Sequence, residues 1–269
     1  NMSIFISIVL GLIQGLTEFM PVSSSGHLEL AQQMLGRRGE DFHYFLELIN
    51  FGTLLALIIY YRKRIMKILK DIFVKHDFRT TINVIITCIP AGLTGLSLND
   101  FIEENPFFSS LWTIAIAMGV VGFLMIISDR LPHLSKLKDE EKLTRTRALG
   151  IGLSQVFGLV PGVSRSGSTI LGGRAMGLDS GAAASYSFLV SIPLMTAVCL
   201  KTLVSSSARE YLMANLGVLT LANIVAFISG LLAVNFVMNY LKKPGALKTF
   251  GYYRVFLSSV VIIILLINS

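Results

Sequence analysis

Six apolar stretches, near residues 44–61, 82–98, 108–128, 183–204, 216–238 and 251–267, are each about as long as a helix needs to cross a bilayer core, or slightly short of it. A seventh, weaker run lies at 4–13. Hydrocarbon offers backbone groups no water to bond, so a chain of such stretches is confined to helices that satisfy themselves. The fold class is an all-α polytopic membrane protein with six transmembrane helices, a single integral membrane domain over 1–269. Composition agrees, with 53% hydrophobic and 14% charged residues in 269. No cleavable signal pattern follows the N-terminus, so the run at 4–13 is expected to stay in the mature chain.

The formal charge of +7 does not point to nucleic acid, because the cations cluster between spans. Loop 62–79 carries Arg62, Lys63, Arg64, Lys67, Lys70, Lys75 and Arg79, and loop 129–147 carries Arg130, Lys136, Lys138, Lys142, Arg145 and Arg147. A shorter loop, 242–250, adds Lys242, Lys243 and Lys248. All three are expected inside, with the segment of Asp100, Glu103 and Glu104 and the 205–215 loop outside. Cys88 and Cys199 lie in apolar spans without metal-ligand or disulfide spacing, and read as packing residues.

Segments 4–36 and 148–177 are broken by Pro, Gly and Ser too often to be single membrane helices, and read as re-entrant pairs of half-helices. A shift of 141 positions lays Gly11, Leu12, Gln14, Val22, Ser23, Ser25, Gly26 and Gly36 on Gly152, Leu153, Gln155, Val163, Ser164, Ser166, Gly167 and Gly177. Gly and Ser recur in membrane helices through close packing alone. Eight matches in one register indicate duplication. The first repeat would be 2–130, the pair at 4–36 plus three spans, and the second 145–269, the pair at 148–177 plus three spans. Three is odd, so the second copy is inverted, an arrangement that places a site where the broken segments meet.

Each segment carries a proline and a serine string, "PVSSSGH" from Pro21 and "PGVSRSGS" from Pro161. Helix starts there would offer unpaired N–H groups and partial positive charge to an anion. The candidate phosphate-binding residues are Ser23, Ser25, Gly26, Ser164, Ser166, Gly167 and Thr169. Serine N-caps are the plainer reading of either string alone. Arg165 adds a side chain that can fork two hydrogen bonds onto phosphate oxygens.

Gln14 and Glu18 share a helix face, and Glu18 is either an ion-pair partner of Arg165 or a functional carboxylate. His27 is the one histidine away from a loop or span boundary, unlike His43, His76 and His133. Converging Ser24, His27, Glu18 and Arg165 would supply a nucleophile or positioned water, a base, a carboxylate and charge stabilisation for phosphoanhydride hydrolysis. Ser24 would then attack with His27 as its base. Gln14 and Glu18 would be the oxygen ligands of Mg²⁺ or Ca²⁺.

The stretches "IQGLTEFMPVSSSGH" and "LVPGVSRSGSTILGGRAMG" resemble the two signature motifs of the bacterial undecaprenyl pyrophosphate phosphatases, the family associated with bacitracin resistance. The likeness continues through "YSFLVSIPLM" and "YYRVFL". It implies hydrolysis of a membrane-embedded C55 isoprenyl diphosphate to its monophosphate, recycling the lipid carrier for peptidoglycan and other cell-wall polymers. It also implies an interdigitated inverted-repeat fold, a divalent cation, and a multi-pass place in the bacterial cytoplasmic membrane with the site facing outward. Functional positions carried over are Gln14, Glu18, Ser24, His27, Ser164, Arg165 and Thr169. Gln14 is a neutral variant where many relatives have Glu, which weakens a two-carboxylate metal site. A homodimer is compatible with the reading, and no nucleic acid is expected.

Type 2 phosphatidic-acid phosphatases share a Ser-Gly-His string and a Ser-Arg pair, but their second histidine and aspartate would fall here on Leu171 and Ala175. The other reading is an isoprenyl-phosphate flippase or anion transporter, for which inverted broken helices are a familiar architecture. Such a carrier has little use for Glu18 beside His27.

Overall fold

The computed structural model describes residues 3–36, 40–131 and 137–267. His133 and Lys136, and the side chains of Asp100, Glu103 and Glu104, lie outside the described residues. In chain order the α-helices are α1 (Ile4–Phe19), α2 (Ser24–Met34), α3 (Glu40–Leu48), α4 (Asn50–Phe73), α5 (Arg79–Glu104), α6 (Pro106–Ser109) and α7 (Leu111–Arg130). The series continues with α8 (Arg145–Val156), α9 (Arg165–Ala175), α10 (Ser180–Val204), α11 (Ser206–Ala214), α12 (Leu216–Tyr240) and α13 (Leu247–Ile267). No strand occurs among the described residues.

Six helices are long and apolar enough to span a membrane: Phe42–Phe73, Arg79–Leu98, Leu111–Arg130, Ser180–Val204, Leu216–Tyr240 and Leu247–Ile267. They contain five of the six apolar stretches of the sequence whole and the third from residue 111 on, since 108–109 fall in α6 and Ser110 caps α7. The seventh run falls on α1, whose 16 residues rise about 24 Å at 1.5 Å each, short of a bilayer core.

Several expected loops are helical instead. Arg62, Lys63, Arg64, Lys67 and Lys70 extend α4, Arg79 opens α5, and Asp100, Glu103 and Glu104 close it. Segment 206–214 is α11, started by Ser205, whose hydroxyl accepts the Ala208 N–H. Charge marks where hydrocarbon ends, not where a helix ends, because Lys, Arg and Glu are good helix formers.

Both broken segments stop for local reasons. α1 ends at Met20, which is extended because Pro21 follows it. α8 passes into a 3₁₀ turn, Phe157–Leu159, before Pro161 and a left-handed Gly162. The halves then interlock. α1 lies along α12, and α8 lies along α5. Small residues allow these approaches: a Cβ on Gly11 would stand 2.5 Å from the Ala222 carbonyl oxygen, and one on Gly152 would stand 2.8 Å from that of Thr87. α7 and α13 pack closely against each other.

Candidate active site

Ser23 and Ser164, equivalent under the 141-residue shift, both sit at φ 77°, where few non-glycine residues are found. Each is the N-cap of its half-helix. The Ser23 hydroxyl accepts the Gly26 N–H at 3.2 Å, and the Ser164 hydroxyl accepts the Gly167 N–H at 3.1 Å. Both caps also bond the serine two positions on, Ser25 and Ser166, at 3.2 Å. Each capped turn is pressed onto α7, since a Cβ on Gly26 would lie 3.0 Å from the Met118 sulfur and one on Gly167 would lie 3.1 Å from the Met125 methyl.

This geometry revises the expected phosphate ligands. The amides of Gly26 and Gly167 are taken by the caps, so only the first two N–H groups of each half-helix remain without a protein acceptor among the described residues: Ser24 and Ser25, Arg165 and Ser166. Thr169 is turned inward, its hydroxyl bonded to the Arg165 and Ser166 carbonyls and to Ser187.

The first residue of each half-helix reaches the same carboxylate. Ser24 Oγ donates to Glu18 Oε2 at 2.7 Å, and Arg165 Nη2 donates to Glu18 Oε1 at 2.6 Å. Gln14 Nε2 donates to Glu18 Oε2 at 3.2 Å and to Asn50 Oδ1 at 2.7 Å. Asn50 is fixed in turn by donating to the Leu46 and Glu47 carbonyls. Glu18 therefore has partners on both oxygens, and the structure brings together four of the sequence-derived residues, Gln14, Glu18, Ser24 and Arg165.

His27 is held elsewhere. Its Nδ1 lies 2.7 Å from the Ser23 carbonyl oxygen, and its Nε2 lies 2.7 Å from the Tyr253 hydroxyl, with the two rings stacked. A carbonyl only accepts, so Nδ1 carries the proton, and in the neutral ring Nε2 accepts from Tyr253. No hydrogen bond joins His27 to Ser24, Glu18 or Arg165. The expected Ser24–His27 pair is thus replaced by Ser24–Glu18, because the serine opens the helix on the side that faces α1.

The Gln14–Glu18 metal pair changes as well, since Gln14 turns its NH₂ group, not its oxygen, toward Glu18. No cluster of three or more His, Cys, Asp or Glu suited to a metal occurs among the described residues. The hard oxygens on hand are those of Glu18 and Asn50 Oδ1.

Glu18, Asn50 and Arg165 line a cavity of about 420 Å³. From them it runs between Ala91, Gly92, Gly95 and Leu96 of α5 and Leu194, Val198 and Lys201 of α10. Residues 194, 198 and 201 share a helix face, so one wall passes from apolar side chains to a lysine at its far end.

Sequence reasoning missed Asn50, Tyr253 and Arg254. Arg254 is fully buried in α13 and donates to the carbonyls of Pro21, Gly162 and Val163. Its signal was a charge inside an apolar span, which by default marks function.

The model of the family "Bacitracin resistance protein BacA" matches residues 7–260. Undecaprenyl-diphosphatase 1 of Clostridioides difficile (strain 630) is 37% identical over 97% of this chain and 96% of its own. Undecaprenyl-diphosphatase of Clavibacter michiganensis subsp. michiganensis (strain NCPPB 382) is 37% identical over 98% and 97%. The namesake enzyme of Clostridium tetani (strain Massachusetts / E88) is 34% identical over 96% and 95%. Broken helices whose first residues meet on one glutamate, along with a family match over nearly the whole chain, lead to one assignment: this chain belongs to the bacitracin resistance protein BacA family.

Proposed function

We propose that this protein hydrolyses undecaprenyl diphosphate to undecaprenyl phosphate and inorganic phosphate, recycling the lipid carrier for peptidoglycan and other cell-wall polymers. The observation that carries this reading is the convergence of Ser24 and Arg165 on Glu18 at the head of an apolar cavity. A hydroxyl oriented by a carboxylate, beside an arginine and two helix starts, suits a phosphoryl group whose chemistry is mostly positioning and charge stabilisation. The names of the relatives point to the same substrate.

In the mechanism these residues support, Arg165 and the free N–H groups of Ser24, Ser25 and Ser166 receive the terminal phosphoryl oxygens. Ser24 Oγ attacks the terminal phosphorus and passes its proton to Glu18 Oε2. The bond from that phosphorus to the bridging oxygen breaks, and the lipid leaves as the monophosphate. Water then attacks the phosphoserine and gives one proton toward His27 Nε2 once Tyr253 yields it; the Ser24 Oγ–phosphorus bond breaks, Glu18 returns its proton to Ser24 Oγ, and inorganic phosphate leaves. Donors that Arg165 and the helix starts hold in place before the reaction supply the largest share of such catalysis.

A divalent cation fits this pocket as a companion of the substrate, held by Glu18 and Asn50 Oδ1 together with diphosphate oxygens. When bound it would neutralise diphosphate charge. Gln14 would act as the hydrogen-bonded spacer between those two ligands, not as a ligand.

Six apolar helices make this a multi-pass membrane protein. For the cytoplasmic membrane of a bacterium, an outward-facing site has this support: the cavity follows 91–96 of α5 and 194–201 of α10, halves that lead away from the basic residues at 62–79 and 129–147.

Purified protein in detergent, given an isoprenyl diphosphate with Mg²⁺ or Ca²⁺, should release phosphate and leave the monophosphate. Intact substrate after prolonged incubation would overturn the reading, and its movement across liposomes would replace it with transport.

A further inference from the structure

The two serine strings lie about 140 residues apart in sequence, yet Ser24 and Arg165 must meet on one carboxylate to within hydrogen-bond distance. Neither string bonds directly to the other through its backbone among the described residues. Besides Glu18, one further side chain joins them. Arg254 Nη1 donates to the Pro21 carbonyl at 3.1 Å, and Nη2 donates to those of Gly162 at 2.7 Å and Val163 at 3.1 Å. Its Nε donates at 3.2 Å to the carbonyl of Met118, the residue whose sulfur packs on Gly26.

The carbonyl at Gly162 is aimed by its own backbone. Its φ is 91°, and a Cβ there would stand 2.5 Å from the Ile114 carbonyl oxygen, so the position accepts little but glycine. Arg254 has no carboxylate within ion-pair distance among the described residues, and carbonyl dipoles alone answer its charge. A buried cation without a counter-ion is costly. Here it stands behind two helix starts that already favour an anion.

We propose that Arg254 is the positioning residue of this site, a clamp that sets the spacing of Ser24 from Arg165 and adds a fixed positive charge behind both helix starts for the substrate's diphosphate. The fork is essential to the first role. A planar guanidinium can serve three segments at once, whereas an ammonium is a point charge with a shorter reach. The proposal rests on the reading of Ser24, Glu18 and Arg165 as the reacting centre.

Two variants and two readouts test it. Arg254→Lys keeps the charge and loses the fork, so KM for isoprenyl diphosphate should stay within about threefold while kcat falls about a hundredfold, the cost of roughly 1 Å of misplacement. Arg254→Met should lose kcat as far and raise KM about tenfold as well. Hydrogen exchange by mass spectrometry should speed up about tenfold in Arg254→Lys at 24–28 and at 165–169, with α12 unchanged. Wild-type kcat in Arg254→Lys, or accelerated exchange in only one string, would overturn the clamp. An unchanged KM in a folded Arg254→Met would overturn the charge. Should wild-type protein release no phosphate, the functional reading fails while the exchange experiment still decides the clamp; if Arg254→Met does not fold, Arg254→Lys carries the test.

Discussion

Glu18 is the residue on which the site turns, because one carboxylate takes a serine, an arginine and a glutamine from two distant segments. Glu18→Gln keeps the shape and still offers Arg165 a neutral acceptor, but it removes the proton acceptor facing Ser24. Phosphate release should fall at least about a hundredfold while the protein stays folded. A rate within about threefold of wild type would take Glu18 out of the proton transfer. Gln14→Glu asks a different question, since it sets a second carboxylate where an NH₂ group now bridges Glu18 and Asn50. Like charges so close need a cation between them. The Mg²⁺ concentration for half-maximal phosphate release should drop about fivefold or more, and the rate without added cation should drop too. An unchanged titration curve would show that the ion does not sit between these groups.

At the scale of elements, the half-helices hold their places through small residues on neighbours from the opposite half of the chain. α1 is the clearest case, because a Cβ on Gly15 would stand 2.0 Å from Ser229 Oγ and 2.5 Å from the Ala226 carbonyl oxygen of α12. Gly15→Val should push α1 off α12, cost about 1–3 kcal/mol, and lower the thermal midpoint of the detergent-purified protein. Gly92 gives the contrast, since nothing lies within 4 Å of a Cβ there and it lines the cavity. Gly92→Ala should leave the midpoint near wild type. Equal losses in both variants would mean that α1 is not seated on α12 as described. α1 thus lies on α12 and α8 on α5, and Ser23 and Ser164 share a φ of 77°.

For the whole molecule, the functional question is which side of the membrane the cavity meets. Lys201 ends one wall of it and is exposed. In a background of Cys88→Ser and Cys199→Ser, Lys201→Cys should react with a membrane-impermeant maleimide in intact cells, and substrate lipid should slow the reaction. Labelling only after permeabilisation would place the mouth inside and reverse the proposed orientation.

The sequence by itself determined the six spans, the two breaks and the paired strings. Those features are local: apolar length, proline and glycine punctuation, and serine at a helix start act within a turn or two. It missed where basic helices run on past the bilayer, because charge alone does not end a helix. Tertiary structure decided who meets whom. Ser24 turns to Glu18 instead of His27, the cap serines consume the amides of Gly26 and Gly167, and Thr169 faces Ser187. Tyr253 holds His27 from 226 residues away, and Arg254 reaches Pro21 from 233. No spacing rule spans such distances; only the packing of α13 against α7 and the broken helices brings those groups within a hydrogen bond of each other.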